Sequence, residues 1–331
     1  MHRNSIILAA AVVAIIVIAT VAGAYVVYPR LFPSQATANQ CTTTASPIQE
    51  TLGQSSNIRL AATSSQIQIV AGENFWGSLV SQLGGTHVQV LSIVTDPNAD
   101  PHEYESSAAD ARAFAHDNYT VINGAGYDDW AVRIMQANPN PSGKVLNVAD
   151  LLGKKAGDNP HFWYSPTYVN MTVHQMYKDL ANIDASNAEY YHQQYVSLNA
   201  SLSEYNAVVS NIKLKYAGTK VASTESIFEY LADATGLNLI SPPSFMEAIS
   251  EGNDPTPQDI ATFQQQLQTR SVKVLVYNSQ TATPITDNLK SLAAQKCIQT
   301  VAISETVQPP DAQFQTWMKG ELIALQTALG K

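Results

Sequence analysis

The chain has 331 residues, which exceeds one ordinary hydrophobic core and predicts two lobes with appended segments. Its net charge of −9 argues against nucleic acid or an anionic membrane surface as a partner, because both attract clustered Lys and Arg. A cationic ligand suits this balance. Only 14% of the residues are charged, against about 25% in average soluble domains, which favours a surface exposed outside the cytoplasm.

The N-terminus predicts a segment that enters a membrane. Residues Ile6 to Tyr28 are apolar apart from Thr20, and these 23 residues can span a hydrocarbon core of about 30 Å as a signal anchor. A cleaved signal peptide is the alternative, because Ala22-Gly23-Ala24 has the small-x-small form of a cleavage site. We therefore assign residues 1–30 to a transmembrane or signal helix. The globular part then lies outside the cell membrane, either anchored or secreted after cleavage.

Residues 31–65 have the composition of a flexible tether, rich in Ser, Thr, Ala, Gln and Asn. The tether contains Cys41, and the only other cysteine, Cys297, lies far downstream beside an apolar run. An extracellular disulfide could join the two, but the sequence gives no distance between them and leaves the pairing open.

From residue 66 onward, apolar runs alternate with segments of helical periodicity, which is typical of parallel α/β sheets. The helix over residues 187–216 would be about 45 Å long and could link an N-terminal lobe, residues 66–186, to a C-terminal lobe, residues 217–331. The predicted strands cover 66–71, 88–94, 119–122, 220–223, 237–240, 272–277 and 300–303, and the predicted helices cover 74–83, 108–116, 166–180, 187–216, 226–235, 257–269 and 283–295.

Two of the seven histidines follow prolines in similar motifs. His102 stands in Asp100-Pro101-His102-Glu103-Tyr104-Glu105, and His161 stands in Asp158-Asn159-Pro160-His161-Phe162-Trp163. Proline fixes φ and restricts the residue before it, so each imidazole is presented from a stiff turn, as a metal ligand requires. His102 also lies on the loop that follows the carboxyl end of the predicted strand 88–94, and parallel sheets bind ligands at the carboxyl ends of their strands.

These motifs resemble a family of metal-binding solute receptors of ABC importers, the zinc and manganese receptors called ZnuA-like or TroA-like, from about Ile67 to Leu329. The resemblance implies two Rossmann-like lobes, each a parallel sheet flanked by helices, joined by one long rigid helix with the ion between them. The matching stretches are residues 100–105, 123–130 (Asn-Gly-Ala-Gly-Tyr-Asp-Asp-Trp), 159–166 (Asn-Pro-His-Phe-Trp-Tyr-Ser-Pro), 223–231 (Ser-Thr-Glu-Ser-Ile-Phe-Glu-Tyr-Leu) and 303–306 (Ile-Ser-Glu-Thr).

The resemblance also implies a ligand set. His102 and His161 match the family's two histidine ligands, and Glu225 matches a third ligand that is His or Glu. The fourth is expected to be an Asp in the loop after the strand at 272–277, where this chain has Asn278 to Pro284 without a carboxylate. The candidates for the vacant position are an oxygen of Gln280 or Thr281, a water, or a carboxylate of Glu251 or Asp254, and a pocket that holds metal weakly is the remaining possibility.

The function implied by the resemblance is capture of a divalent transition metal ion, Zn²⁺ or Mn²⁺, and its delivery to a membrane permease with an ATPase subunit. Two imidazoles and a carboxylate suit both ions, and Glu225 tilts the expectation slightly toward manganese. The receptor is expected to be a monomer, to contact the membrane through its N-terminal segment and to bind no nucleic acid. A metal-dependent hydrolase and an adhesin on the same fold are the alternative functions.

Overall fold

A computed structural model of the chain describes residues 66–98 and 101–331, and of Glu103 the backbone alone. The predicted membrane segment, the tether and Cys41 lie outside the described residues, so the disulfide stays a prediction. Within the described ranges, no helix has both the length and the apolar character needed to cross a membrane.

Among the described residues, eight strands form two separate four-stranded sheets. The strands are β1 (Ile67–Glu73), β2 (Val88–Val94), β3 (Tyr119–Ile122), β4 (Lys144–Asn147), β5 (Lys220–Ser223), β6 (Asn238–Leu239), β7 (Val274–Asn278) and β8 (Gln299–Ile303). The first sheet has the order β2-β1-β3-β4 and the second β6-β5-β7-β8, and all neighbouring strands are parallel. Because the strands are parallel, their carboxyl ends lie together at one edge of each sheet, and parallel sheets bind ligands at that edge.

The described helices flank the two sheets. They are α1 (Asn74–Gly84), α2 (Ala108–His116), α3 (Asp129–Ala137), α4 (Val148–Leu152), α5 (Pro166–Ile183), α6 (Ala188–Tyr216), α7 (Glu229–Thr235), α8 (Pro243–Ser250), α9 (Pro257–Gln268), α10 (Pro284–Gln295) and α11 (Phe314–Gly330). We call β1 to β4 with their helices the N-terminal lobe, and β5 to β8 with theirs the C-terminal lobe. The predicted fold class, two parallel α/β lobes joined by one long helix, is confirmed.

Helix α6 is the long link, with 29 residues and a length of about 43 Å. Its buried residues recur at intervals of seven, four or three positions, so one stripe faces the protein along the helix: Tyr191, Leu198, Leu202, Tyr205, Val209 and Ile212. This stripe belongs to a hydrophobic core that also contains Ile69 of the first sheet and Val274 of the second. Apolar packing therefore runs from lobe to lobe without interruption.

The elements predicted from the sequence did not include β4, α3, α4, α8 and α11. Strand β4 contains no apolar run, because Lys144 and Val145 are exposed at the edge of the sheet. Helix α11 matters for the site, since it packs against both α6 and β8 and brings Glu321 under the loop that follows β8.

Candidate metal centre

Four side chains converge between the facing edges of the two lobes: His102, His161, Glu225 and Glu305. Each offers one nitrogen or oxygen, and these four atoms all lie within 4.8 Å of one another. His102 and His161 come from the N-terminal lobe, whereas Glu225 and Glu305 follow β5 and β8 of the C-terminal lobe. Imidazole nitrogen and carboxylate oxygen at this spacing form the ligand type that divalent transition metals prefer.

The cluster is deeply buried. His161, Glu225 and Glu305 are fully buried, and only His102 is partly exposed. The Nε2 atom of His161 lies 3.5 Å from Glu225 Oε1 and 3.4 Å from Glu305 Oε1. Buried charges need an opposite charge, so two carboxylates in this position favour a cation between them and the histidines.

Asn159 fixes the orientation of the His161 ring. Its Oδ1 lies 2.7 Å from His161 Nδ1, and its Nδ2 donates to the Ser226 carbonyl and to Glu229 Oε2, each at 2.8 Å. Two acceptors around Nδ2 settle which end of the amide faces the ring, so Oδ1 accepts the Nδ1 proton. Nε2 then carries the lone pair with which a histidine binds a metal, and it lies on the side of the two carboxylates.

Hydrogen bonds also orient both carboxylates. Asn278, the last residue of β7, donates through Nδ2 to Glu225 Oε2 at 2.6 Å and to Glu305 Oε1 at 2.7 Å. Thr281 Oγ1 donates to Glu225 Oε2 at 2.8 Å, and the Tyr127 hydroxyl donates to Glu305 Oε2 at 3.0 Å. These donors stabilise the ionised carboxylates and fix which oxygens face the histidines.

Burial and, to a smaller extent, the neighbouring Glu305 raise the pKa of Glu225 to about 7, although His161, His102 and the Asn278 hydrogen bond act to lower it. A carboxyl with this pKa exchanges its proton near neutral pH. Because a metal binds the carboxylate, ion binding must displace any proton held there.

The loop that carries Glu305 is held on both sides. Ser304 N donates to Glu321 Oε1 at 3.0 Å, and Thr306 N donates to Gln280 Oε1 at 3.0 Å. Burial raises the pKa of Glu321 to about 8, while its hydrogen bonds to Tyr164, Ser304 and Trp317 lower it. The backbone position of Glu305 is therefore fixed. A metal ligand requires this, because its position must be held to within about 0.5 Å.

The loop after β3 is ordered in a similar way by Asp128. Its carboxylate accepts the backbone N–H groups of Asn123 at 2.6 Å and Gly124 at 2.8 Å. Gly124 has φ +78°, and a Cβ there would lie 2.1 Å from Asn147 Oδ1, so glycine is required. This turn places Tyr127 between His102, at 4.6 Å between ring centroids, and Glu305.

The structure brings together the three residues expected from the sequence and adds Glu305 as a fourth. The expected position after β7 supplies hydrogen bonds to the cluster, through Asn278 and Thr281, and Gln280 binds the Glu305 loop. Glu251 and Asp254 are exposed and lie outside the cluster. One feature of the sequence points to Glu305. It follows the predicted strand 300–303 by two residues, and so lies at a strand carboxyl end, as His102 and Glu225 do.

A cavity of about 530 Å³ leads from the surface to His102, the one ligand candidate that lines it. Four carboxylates line the same cavity: Asp158, Glu229, Glu247 and Glu251. Among its lining residues there is no Lys or Arg. The negative charge favours entry of cations along this route.

Comparison with known proteins agrees with this geometry. The family model for the periplasmic zinc-uptake complex component A, ZnuA, matches residues 69–328. The manganese ABC transporter substrate-binding lipoprotein PsaA of Streptococcus anginosus is 22% identical over 240 residues, which cover 66% of this chain and 74% of PsaA. The metal ABC transporter substrate-binding lipoprotein SloC of Streptococcus mutans is 21% identical over 230 residues, covering 65% and 73%.

Solved structures show the same fold. The substrate-binding protein FpvC of Pseudomonas aeruginosa, in complex with Mn²⁺, superposes with a TM-score of 0.67 at 21% identity, covering 80% of this chain and 99% of FpvC. At this identity the similarity establishes the fold alone. The family model spans most of the chain, including both lobes, so this chain belongs to the ZnuA family of metal-uptake binding proteins.

Proposed function

We propose that this chain is the extracytoplasmic substrate-binding component of a metal ABC importer. It captures Zn²⁺ or Mn²⁺ between its lobes through His102, His161, Glu225 and Glu305 and delivers the ion to a membrane permease. The observation that carries the proposal is the convergence of four ligand atoms within 4.8 Å, two from each lobe. The names of the relatives PsaA and SloC, both metal-transporter binding proteins, support the same function.

A binding role fits the cluster better than the hydrolase alternative. Hydrolytic zinc sites use three protein ligands and keep the fourth position for an activated water. Here Glu305 occupies a fourth position, and three of the four groups are fully buried. The family is one of uptake proteins rather than enzymes, and a filled coordination sphere suits an ion that is carried unchanged.

The partners follow from this role. We propose that the receptor acts with a permease and its ATPase subunit, and that the N-terminal segment attaches it to the membrane with the lobes outside the cytoplasm. Division of the ligands between two lobes gives the permease a simple means of release, because separating the lobes by a few ångströms removes two ligands at once.

The test is a metal titration of the purified full-length chain with Zn²⁺, Mn²⁺ and Fe²⁺, with elemental analysis of the bound ion. We expect one ion per chain in the wild type and none in His161→Ala. The matched control is His192→Ala, because His192 is exposed on α6 and lies outside the cluster. A wild type that binds none of the three ions would refute the proposal, as would equal binding by His161→Ala and the control.

A further inference from the structure

Hydrogen bonds distinguish the two oxygens of Glu225. Glu225 Oε2 accepts two hydrogen bonds, from Asn278 Nδ2 and Thr281 Oγ1. Glu225 Oε1 is buried, accepts no hydrogen bond from any described residue, and lies 3.5 Å from His161 Nε2. Oε1 is thus the oxygen that faces the cluster, whereas Oε2 is occupied by hydrogen bonds.

The Asn278 amide is fixed in this orientation. Its Oδ1 accepts the backbone N–H of Gln280 at 3.0 Å, so the amino group must point toward the carboxylates. There it donates one proton to Glu225 and one to Glu305, and Asn278 is itself almost fully buried. Buried hydrogen bonds to a charged group are among the strongest in proteins, so a second oxygen of Glu225 is not easily released to an ion.

On the basis of the proposed metal-binding function, we infer that Asn278 and Thr281 restrict Glu225 to ligation through Oε1 and thereby favour four-coordinate ions over Mn²⁺. Four side chains that each give one atom form a tetrahedral set, the geometry typical of Zn²⁺. Mn²⁺ is typically six-coordinate with oxygen ligands, and a carboxylate that binds through both oxygens is one means of reaching that number. Asn278 and Thr281 are positioning residues, since they contact the ligands and not the ion.

The surroundings of Glu225 bear on the ion preference that its residue type implies. Glutamate in place of histidine favours manganese only when the carboxylate is free to bind through one or both oxygens. The hydrogen bonds remove that freedom, so the residue type and the residue's surroundings point to different ions.

The test compares the full-length wild type with Thr281→Val, which removes one hydroxyl and nearly preserves the shape of the side chain. The quantity measured is the ratio of the Mn²⁺ and Zn²⁺ dissociation constants, because all sites of this chemistry bind Zn²⁺ more tightly and neither constant alone is informative. We expect the ratio to fall about tenfold in Thr281→Val, since one hydrogen bond to a charged group no longer holds Oε2.

Thr235→Val is the matched control, because Thr235 is also fully buried and hydrogen-bonded but lies on α7, with its hydroxyl donating to the Leu231 carbonyl. Its ratio should equal that of the wild type. Asn278→Ala is a second variant, with a larger expected fall because it frees oxygens of both carboxylates. Thr281→Val keeps the test decisive if Asn278→Ala does not fold.

Co²⁺ provides a readout of geometry that a merely structural role would not change. Four-coordinate Co²⁺ absorbs visible light intensely, whereas six-coordinate Co²⁺ absorbs weakly. We expect the intense spectrum in the wild type and a loss of intensity in Thr281→Val. A weak spectrum in the wild type, or an unchanged ratio in the variants, would refute the inference while metal binding stands. A wild type that binds no metal would instead refute the proposed function.

Discussion

Replacing Glu305 by glutamine should weaken metal binding and at the same time stabilise the metal-free protein. The change keeps the shape of the side chain and its acceptor for Asn278 but removes the charge. Metal affinity falls because one of four ligands becomes a neutral amide. The metal-free protein gains stability because Glu225, fully buried beside Glu305, no longer faces a second negative charge.

The two magnitudes come from the geometry. The candidate ligand oxygens of Glu225 and Glu305 lie within 4.8 Å of each other, and at an effective dielectric constant of 20 two unit charges at that distance repel by about 3 kcal/mol. Some of this repulsion is relieved by protonation of Glu225, so we expect a gain of about 1 to 3 kcal/mol at pH 8, or several degrees in melting temperature. Loss of a residue that is hydrogen-bonded to a metal ligand lowers metal affinity about 10- to 100-fold. Loss of a ligand itself should therefore lower the affinity at least about 100-fold.

Thermal unfolding of metal-free protein at pH 8 and zinc titration by calorimetry measure the two effects separately. The control is Glu189→Gln, because Glu189 is an exposed carboxylate on α6 that lies outside both the cluster and the cavity. If Glu305 had a purely structural role, its replacement would lower both the stability of the protein and its affinity for zinc. Zinc affinity of Glu305→Gln within about threefold of the wild type, or a clearly lower melting temperature, would refute the reasoning.

Three further predictions concern other parts of the site. Asn159→Ala should lower metal affinity about 10- to 100-fold, because His161 loses the acceptor that fixes its ring; unchanged affinity in a zinc titration would contradict this role. The pKa of Glu225, raised to about 7 by burial, means that the folded metal-free protein binds more protons than the unfolded chain between about pH 4.5 and 7. Its stability should therefore fall as pH rises through this range, and the rise in melting temperature on adding Zn²⁺ should be larger at pH 8 than at pH 5.5; an equal or smaller rise at pH 8 would contradict the assignment. Gly124→Ala should destabilise the protein by at least about 1 kcal/mol in urea unfolding, because the new Cβ would clash with Asn147 at a positive φ, and a stability equal to wild type would exclude this strain.

The sequence predicted most of the sheet strands because their residues are apolar and bounded by turns. The bounds of Val88–Val94, Tyr119–Ile122 and Lys220–Ser223 agree with the structure residue by residue. Strand β4 escaped prediction because an edge strand with exposed Lys144 and Val145 has no apolar pattern to detect. The edge strand Val88–Val94 was predicted although only two of its seven residues are buried, so an apolar sequence, rather than burial itself, reveals a strand.

Glu305 escaped prediction for a different reason. Strands β7 and β8 are neighbours in register, with Asn278 opposite Ile303, so residues just beyond either strand reach the same place in space. The sequence showed which residues follow each strand but not that the two ends meet. The family's carboxylate was therefore sought after β7, whereas the structure places a carboxylate at that point from the end of β8.

Because β7 and β8 are adjacent, residues that follow the two strands have different roles at the same site. The end of β8 supplies a charge that attracts a cation, and the end of β7 supplies Asn278 and Thr281, which are neutral donors. Carboxylates at both ends would place three negative charges, that of Glu225 included, in a fully buried space, which is one more than a divalent ion neutralises. A neutral amide at the centre lets two carboxylates share one pocket and limits how each of them can bind. We therefore propose that affinity depends on His102, His161 and the two glutamates, while selectivity depends on the hydrogen bonds that those glutamates receive.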